Sequence, residues 1–149
     1  MAALGATGCS VDNPVSEEKR PTPPAELTPD VAVATRALAE ITAVRAAVSG
    51  TLARYPDERA QLRPLVQMHR AHQVTLVDAV PERARPTARP IPYVVPRRRG
   101  AALRKLATRE QRLHDSLGLL ALRAQSGGFA RLLASMGAAT SQRLSSWPT

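Results

Sequence analysis

Aromatic side chains are almost missing from this 149-residue chain: Tyr55, Tyr93, Phe129 and Trp147 are the full set. Ring packing cannot build the core, so alanine and leucine must fill it from helices, which points to an all-α class. Also missing is any apolar run near the roughly 20 residues that a membrane-spanning helix needs. Cys9 is the only cysteine, and no intramolecular disulfide can staple the fold. There is no Gly-rich phosphate loop, and Ser116, Ser135 and Ser141 lack the elbow or base arrangement of a catalytic nucleophile. Acidic residues are outnumbered, leaving a formal net charge of +9, nearly all of it from arginine spread along the chain. Only Arg97, Arg98 and Arg99 form a tight cluster. Without interleaved stacking aromatics or a recognised motif, this charge does not mark a nucleic-acid partner. The head groups of an anionic membrane would attract the same charge.

What is present falls into two parts, residues 1–29 and 30–148. Met1 to Cys9 is an apolar, small-residue approach to a cysteine, and Thr7, Gly8 and Cys9 resemble the end of a bacterial lipoprotein signal, with Cys9 as the acylated residue. Ala6 stands where that signal usually has leucine. The basic n-region and most of the apolar h-region are missing, and eight residues before Cys9 are too few to direct export. From Ser10 to Thr28, prolines among polar residues leave too little apolar surface to offset ordering, and a disordered tether is expected.

Four helices are expected, over about 30–55, 57–80, 100–125 and 128–147. Thr28-Pro29-Asp30 supplies start chemistry for the first. Its apolar face is Ala34, Leu38, Ile41, Val48, Leu52 and Tyr55, with Arg45 in the stripe and Gly50 as a point of close approach for a neighbouring helix. Pro56-Asp57-Glu58 and Ser126-Gly127-Gly128 make tight turns, each implying an antiparallel hairpin. The stretch 81–99 is too proline-rich for regular structure and is expected to sit at one end of the bundle, linking the hairpins. In the fourth helix, Phe129, Leu132, Leu133, Met136, Thr140, Leu144 and Trp147 share a face, and small residues from Ala134 to Ser141 allow close packing.

The second and third helices carry polar groups in otherwise apolar stripes. Leu62, Leu65, His69, His72, Leu76 and Ala79 follow helical spacing, as do Leu103, Leu106, Glu110, Leu113, Leu117 and Leu120. In helices of similar length, His69, His72, Glu110, Thr140 and Arg45 or Ile41 all fall near the midpoints. His114 lies one residue off its stripe and reads as a boundary histidine.

The order of parts resembles the ferritin-like lipoproteins of high-GC bacteria: a lipobox, a Pro-rich tether, Leu-Ala-Arg-Tyr-Pro, Leu-Val-Gln-Met-His-Arg-Ala-His, a Pro/Arg linker, then Arg-Leu-Leu-Ala-Ser-Met-Gly-Ala-Ala. The resemblance covers about Val31 to Ser146. It implies an antiparallel up-down-up-down four-helix bundle and no assigned activity. Di-iron members of the wider fold place a Glu on two helices and Glu-x-x-His on the other two. Here the second helix has His69-x-x-His72, the third has Glu110, the fourth has Thr140-x-x-Arg143, and Glu40 sits one residue off the first stripe.

Three readings of the layer follow. Glu110 can accept hydrogen bonds from His69 or His72, with Arg45 or Arg143 nearby, in a network that fixes register. His69, His72 and Glu110 can instead ligate zinc or iron, or the histidines can lie at a solvent-exposed seam. The expected protein is a non-catalytic binding bundle at the cell envelope, membrane-anchored through Cys9. The alternatives are a metal-binding or oxidoreductase bundle and a cytoplasmic basic adaptor.

Overall fold

The computed structural model describes residues 28–86 and 92–147. The expectations for Cys9 and the tether lie outside them. Four α-helices carry the chain: α1 (Pro29–Arg54), α2 (Arg59–Ala79), α3 (Arg99–Arg123) and α4 (Gly127–Ser145), with single 3-10 turns at Pro56–Glu58 and Glu82–Ala84. The Thr28 side chain accepts from the Val31 N–H and Pro29 occupies the first turn, so α1 starts where its first orphan donor is satisfied. Ser126 caps α4 in the same way, accepting from Phe129 N–H. Pro56 stops α1, and Pro64 lies inside α2, where it deprives the Ala60 carbonyl of its helical donor.

The all-α four-helix bundle is as expected, and the sense of α3 is the correction. Tyr55 donates its hydroxyl to the Pro96 carbonyl at 2.7 Å, and Arg99 pairs with Glu58, so α3 begins beside the α1–α2 turn. At the other end, the Asp30 carboxylate accepts from the backbone N–H groups of Gln125 at 2.7 Å and Ser126 at 3.0 Å, holding the α3–α4 turn against the start of α1. Both α2 and α3 therefore run away from the α1–α2 turn, and the sequence of senses is up-down-down-up, not up-down-up-down. The described ends of the segment between them lie at opposite ends of the bundle, so it joins the two ends instead of closing one. Val95 of this segment, and not a neighbouring helix, lies over Gly50, where an added Cβ would meet its Cγ2 at 3.6 Å.

Helix α1 packs against α2 and α3, and α3 against α4, while α2 and α4 stand farther apart. With two close neighbours, α1 buries a wide face: Val33, Ala34, Ala37, Leu38, Ile41, Val44, Ala47, Val48 and Thr51. Val44 takes the inward place expected for Arg45, which is only partly buried. In α2 the buried stripe is Leu62, Leu65, His69 and Leu76. His72 sits at its edge, Ala79 is exposed, and the next residue, Val80, is buried. Helices α3 and α4 pack closely at Gly137, where an added Cβ would meet the His114 carbonyl oxygen and the Leu117 Cβ at 3.6 Å.

Candidate functional site: a histidine-glutamate pair across the bundle axis

The leucines around His69 and Glu110 put both positions on the inward faces of α2 and α3, and both side chains are 0% exposed. The Nε2 of His69 lies 2.9 Å from Oε1 and 3.0 Å from Oε2 of Glu110. Nε2 is nearly equidistant from the two oxygens, the geometry of one ring N–H shared between both acceptors of a carboxylate. Because α2 and α3 run the same way on opposite sides of α1, this bond crosses the bundle interior. It joins the two hairpins through the core.

His72 is the partner that the pair leaves aside. Its ring meets the His69 ring edge-on, with centroids 6.1 Å apart and an interplanar angle of 73°. Burial, and then repulsion from His69, lower its pKa from 6.5 to about 4, so the ring is neutral at pH 7. The Nδ1 atoms of both rings are buried without a hydrogen-bond partner among the described residues. The seam reading is therefore wrong for His69 and half right for His72.

The other groups expected in the layer go elsewhere. Arg45 donates to Gln73 Oε1, and Gln73 Nε2–H donates to Thr42 Oγ1 at 2.6 Å, forming a separate bridge between α1 and α2. Thr140 is buried, but its hydroxyl donates back to the Met136 carbonyl at 3.0 Å. Arg143 is exposed, lining a recess between α2 and α4 with Gln61 and Trp147. Glu40 pairs with Arg36 on the surface of α1. His114, read as a boundary residue, is partly buried and places Nδ1 2.9 Å from the Gly137 carbonyl, so that Nδ1 carries the proton. Sequence reasoning missed Gln73 and the buried Glu58, which is 6% exposed and held by Arg99. Neither breaks a stripe conspicuously, and each depends on a partner far along the chain.

Among the described residues, no three His, Cys, Asp or Glu side chains are grouped so that they could hold a metal ion. His69 and Glu110 spend their facing atoms on each other, and His72 adds no third ligand to them. As placed, His69, His72 and Glu110 do not fit the zinc or iron site. What the arrangement does chemically is satisfy a buried carboxylate with a buried imidazole.

Comparison with protein-family models, with curated proteins and with solved structures gave no significant match.

Proposed function

We infer that this protein is a non-catalytic helical bundle that works by binding, tethered to the cell envelope through Cys9. The observation that carries the non-catalytic reading is the enclosure of the His69–Glu110 pair: both side chains are fully buried, and the Nε2 edge of the ring and the carboxylate occupy each other. General acid-base chemistry needs a group within reach of a substrate proton, and a group without solvent access offers none. The envelope tether rests on the residues around Cys9, and the up-down-down-up order with one long crossover is the connectivity that ferritin-like bundles use.

A competing reading, zinc or iron on His69, His72 and Glu110, would require His69 and Glu110 to give up their mutual bond, and the two unpartnered Nδ1 atoms are the one observation it can draw on. Metal analysis of the full chain purified without chelator, beside His72→Ala, separates the two. Substoichiometric metal in both is expected, and a stoichiometric metal lost in the variant would overturn the non-catalytic reading. Membrane fractionation of cells expressing the protein with an export signal upstream, compared with Cys9→Ala, tests the tether. Release on substitution is expected, and unchanged fractionation refutes acylation.

A further inference from the structure

The positive charge is spread along the sequence, but the fold gathers much of it at one end. Helix α1 finishes on Arg54, α2 opens with Arg59 and Arg63, and the chain enters α3 through Arg97, Arg98 and Arg99, all exposed. Because α3 starts at this end and α4 finishes there, Arg104 and Arg143 join the group. Among the described residues the acidic side chains at this end are Asp57 and Glu58, and Glu58 is already held by Arg99. At the opposite end the signs come within one of balance, with Asp30, Asp78 and Glu82 among Arg83, Arg85, Arg123 and Arg131. The asymmetry exists only because the crossover makes α2 and α3 start together.

Beside the basic end, between the first turns of α2 and the last of α4, lies a recess of about 250 Å³. Arg143, Gln61, Ser146 and Trp147 line it, and the amide nitrogen of Gln61 is buried with no hydrogen-bond partner among the described residues. Ala60 also lines it, and its carbonyl has lost its helical donor to Pro64. The recess thus offers the Arg143 guanidinium, which suits a phosphate, while the Ser146 hydroxyl donates to the Arg143 carbonyl and keeps acceptor capacity, which suits the hydroxyls of a glycerol head group.

We propose that this end of the bundle docks on an anionic phospholipid surface, with the recess taking one phosphoglycerol head group. A bilayer fits the patch better than a nucleic acid does. The patch is a bundle end built from turns and helix termini, and no helix offers its length to a groove. Of the three aromatic residues at or near it, Tyr55 has its hydroxyl bonded to Pro96, Tyr93 lies under Lys105 and Arg109, and Trp147 is half-buried at the recess, so none stands free to stack on bases. A tryptophan beside arginines is instead the composition of membrane-interface belts. This surface is a property of the folded chain and does not require acylation of Cys9.

The experiment uses the full unacylated chain, Cys9→Ser, with vesicles of phosphatidylcholine alone or with phosphatidylglycerol. Flotation measures binding, and Trp147, the only tryptophan, reports contact by a blue shift in emission. Binding is expected only with phosphatidylglycerol, and should fall steeply with added salt. Each arginine removed should weaken partitioning about five-fold. Arg59→Gln, Arg97→Gln and Arg98→Gln combined should therefore weaken it on the order of a hundredfold, whereas Arg83→Gln, Arg85→Gln and Arg131→Gln combined should change it little. None of these six arginines makes a side-chain bond described above, and an unchanged melting curve verifies folding. Equal binding to phosphatidylcholine, equal loss in the two triple variants, or displacement from vesicles by an equal phosphate concentration of duplex DNA would each overturn the proposal. Failure here leaves the Cys9 tether untouched, because no lipid on the protein enters the measurement.

Discussion

Removing either member of the His69–Glu110 pair should be harmful, but by different amounts, and removing both should be mild. In His69→Leu the Glu110 carboxylate stays buried with its only side-chain partner among the described residues gone, 0% exposed and unable to reach water. Breaking a buried pair in this way costs about 3–5 kcal/mol. In Glu110→Leu the orphan is an imidazole whose Nε2 is left facing a leucine without a partner, costing about 1–3 kcal/mol. The double variant His69→Leu/Glu110→Leu leaves no orphan. Apolar replacement of a whole buried pair is often neutral or stabilising, so it should lie within about 1–2 kcal/mol of the parent after any loss from imperfect packing. The coupling energy is then on the order of 3 kcal/mol or more, far above the few tenths expected of independent sites. Urea unfolding followed by far-UV circular dichroism on the four proteins measures it. A double variant as unstable as the sum of the singles would refute the idea that the two groups exist in the core to satisfy one another.

The lowered pKa of His72 makes stability depend on pH. The folded value, about 4, lies below the unfolded 6.5, so the unfolded chain takes up a proton that the folded chain refuses. Stability from this residue is complete above pH 6.5 and declines as pH falls towards 4. The shift corresponds to at most about 3 kcal/mol, and about 1–2 kcal/mol once partial solvent access is allowed for. Urea midpoints at the two ends of that window should differ less in His72→Asn than in the parent, and an identical difference would refute the assignment. Asp30→Ala should cost about 1–2 kcal/mol, since it strips two N–H groups at the α3–α4 turn of a charged acceptor. Amide exchange should then quicken at Gln125 and Ser126 first, and uniform quickening would argue against a local clasp. Gly118→Ala should stabilise α3 by about 0.5–1 kcal/mol, as an added Cβ there meets nothing within 4 Å; a lower melting temperature would contradict this.

Much of the bundle is legible in the sequence because helices announce themselves locally. Thr28, Pro56, Ser126 and the alternating leucines mark where helices start, stop and face inward, and Glu110 stands out because it replaces a leucine in an unbroken stripe. The sense of α3 is not legible. A proline-rich linker of this length can turn back at one end or run the full length of a bundle, and the choice rests on contacts such as Tyr55 with Pro96 and Arg99 with Glu58, each 41 residues apart in sequence. The error over Arg45 has another cause. Helix α1 faces two neighbours, so its buried surface is wider than one stripe, and alanines such as Ala37 and Ala47 fill it without marking an edge. His72 and Ala79 mislead because a fixed three-and-four spacing drifts around a 21-residue helix.

The crossover also decides where the ends of the described chain emerge. Thr28 leaves from the pole of mixed charge, and Trp147 lies near the basic pole. With α1 containing 26 residues, the two poles are about 40 Å apart. An attachment through the N-terminal segment therefore leaves the basic pole facing away from the anchoring surface, unless that segment runs back along the bundle. From Cys9 to Thr28 the chain can span about 60 Å at full extension, more than the length of α1. Both poles can thus reach one bilayer, or the basic pole can bridge to a second anionic layer, and shortening the segment between Ser10 and Ala25 below the length of α1 would leave only the bridge.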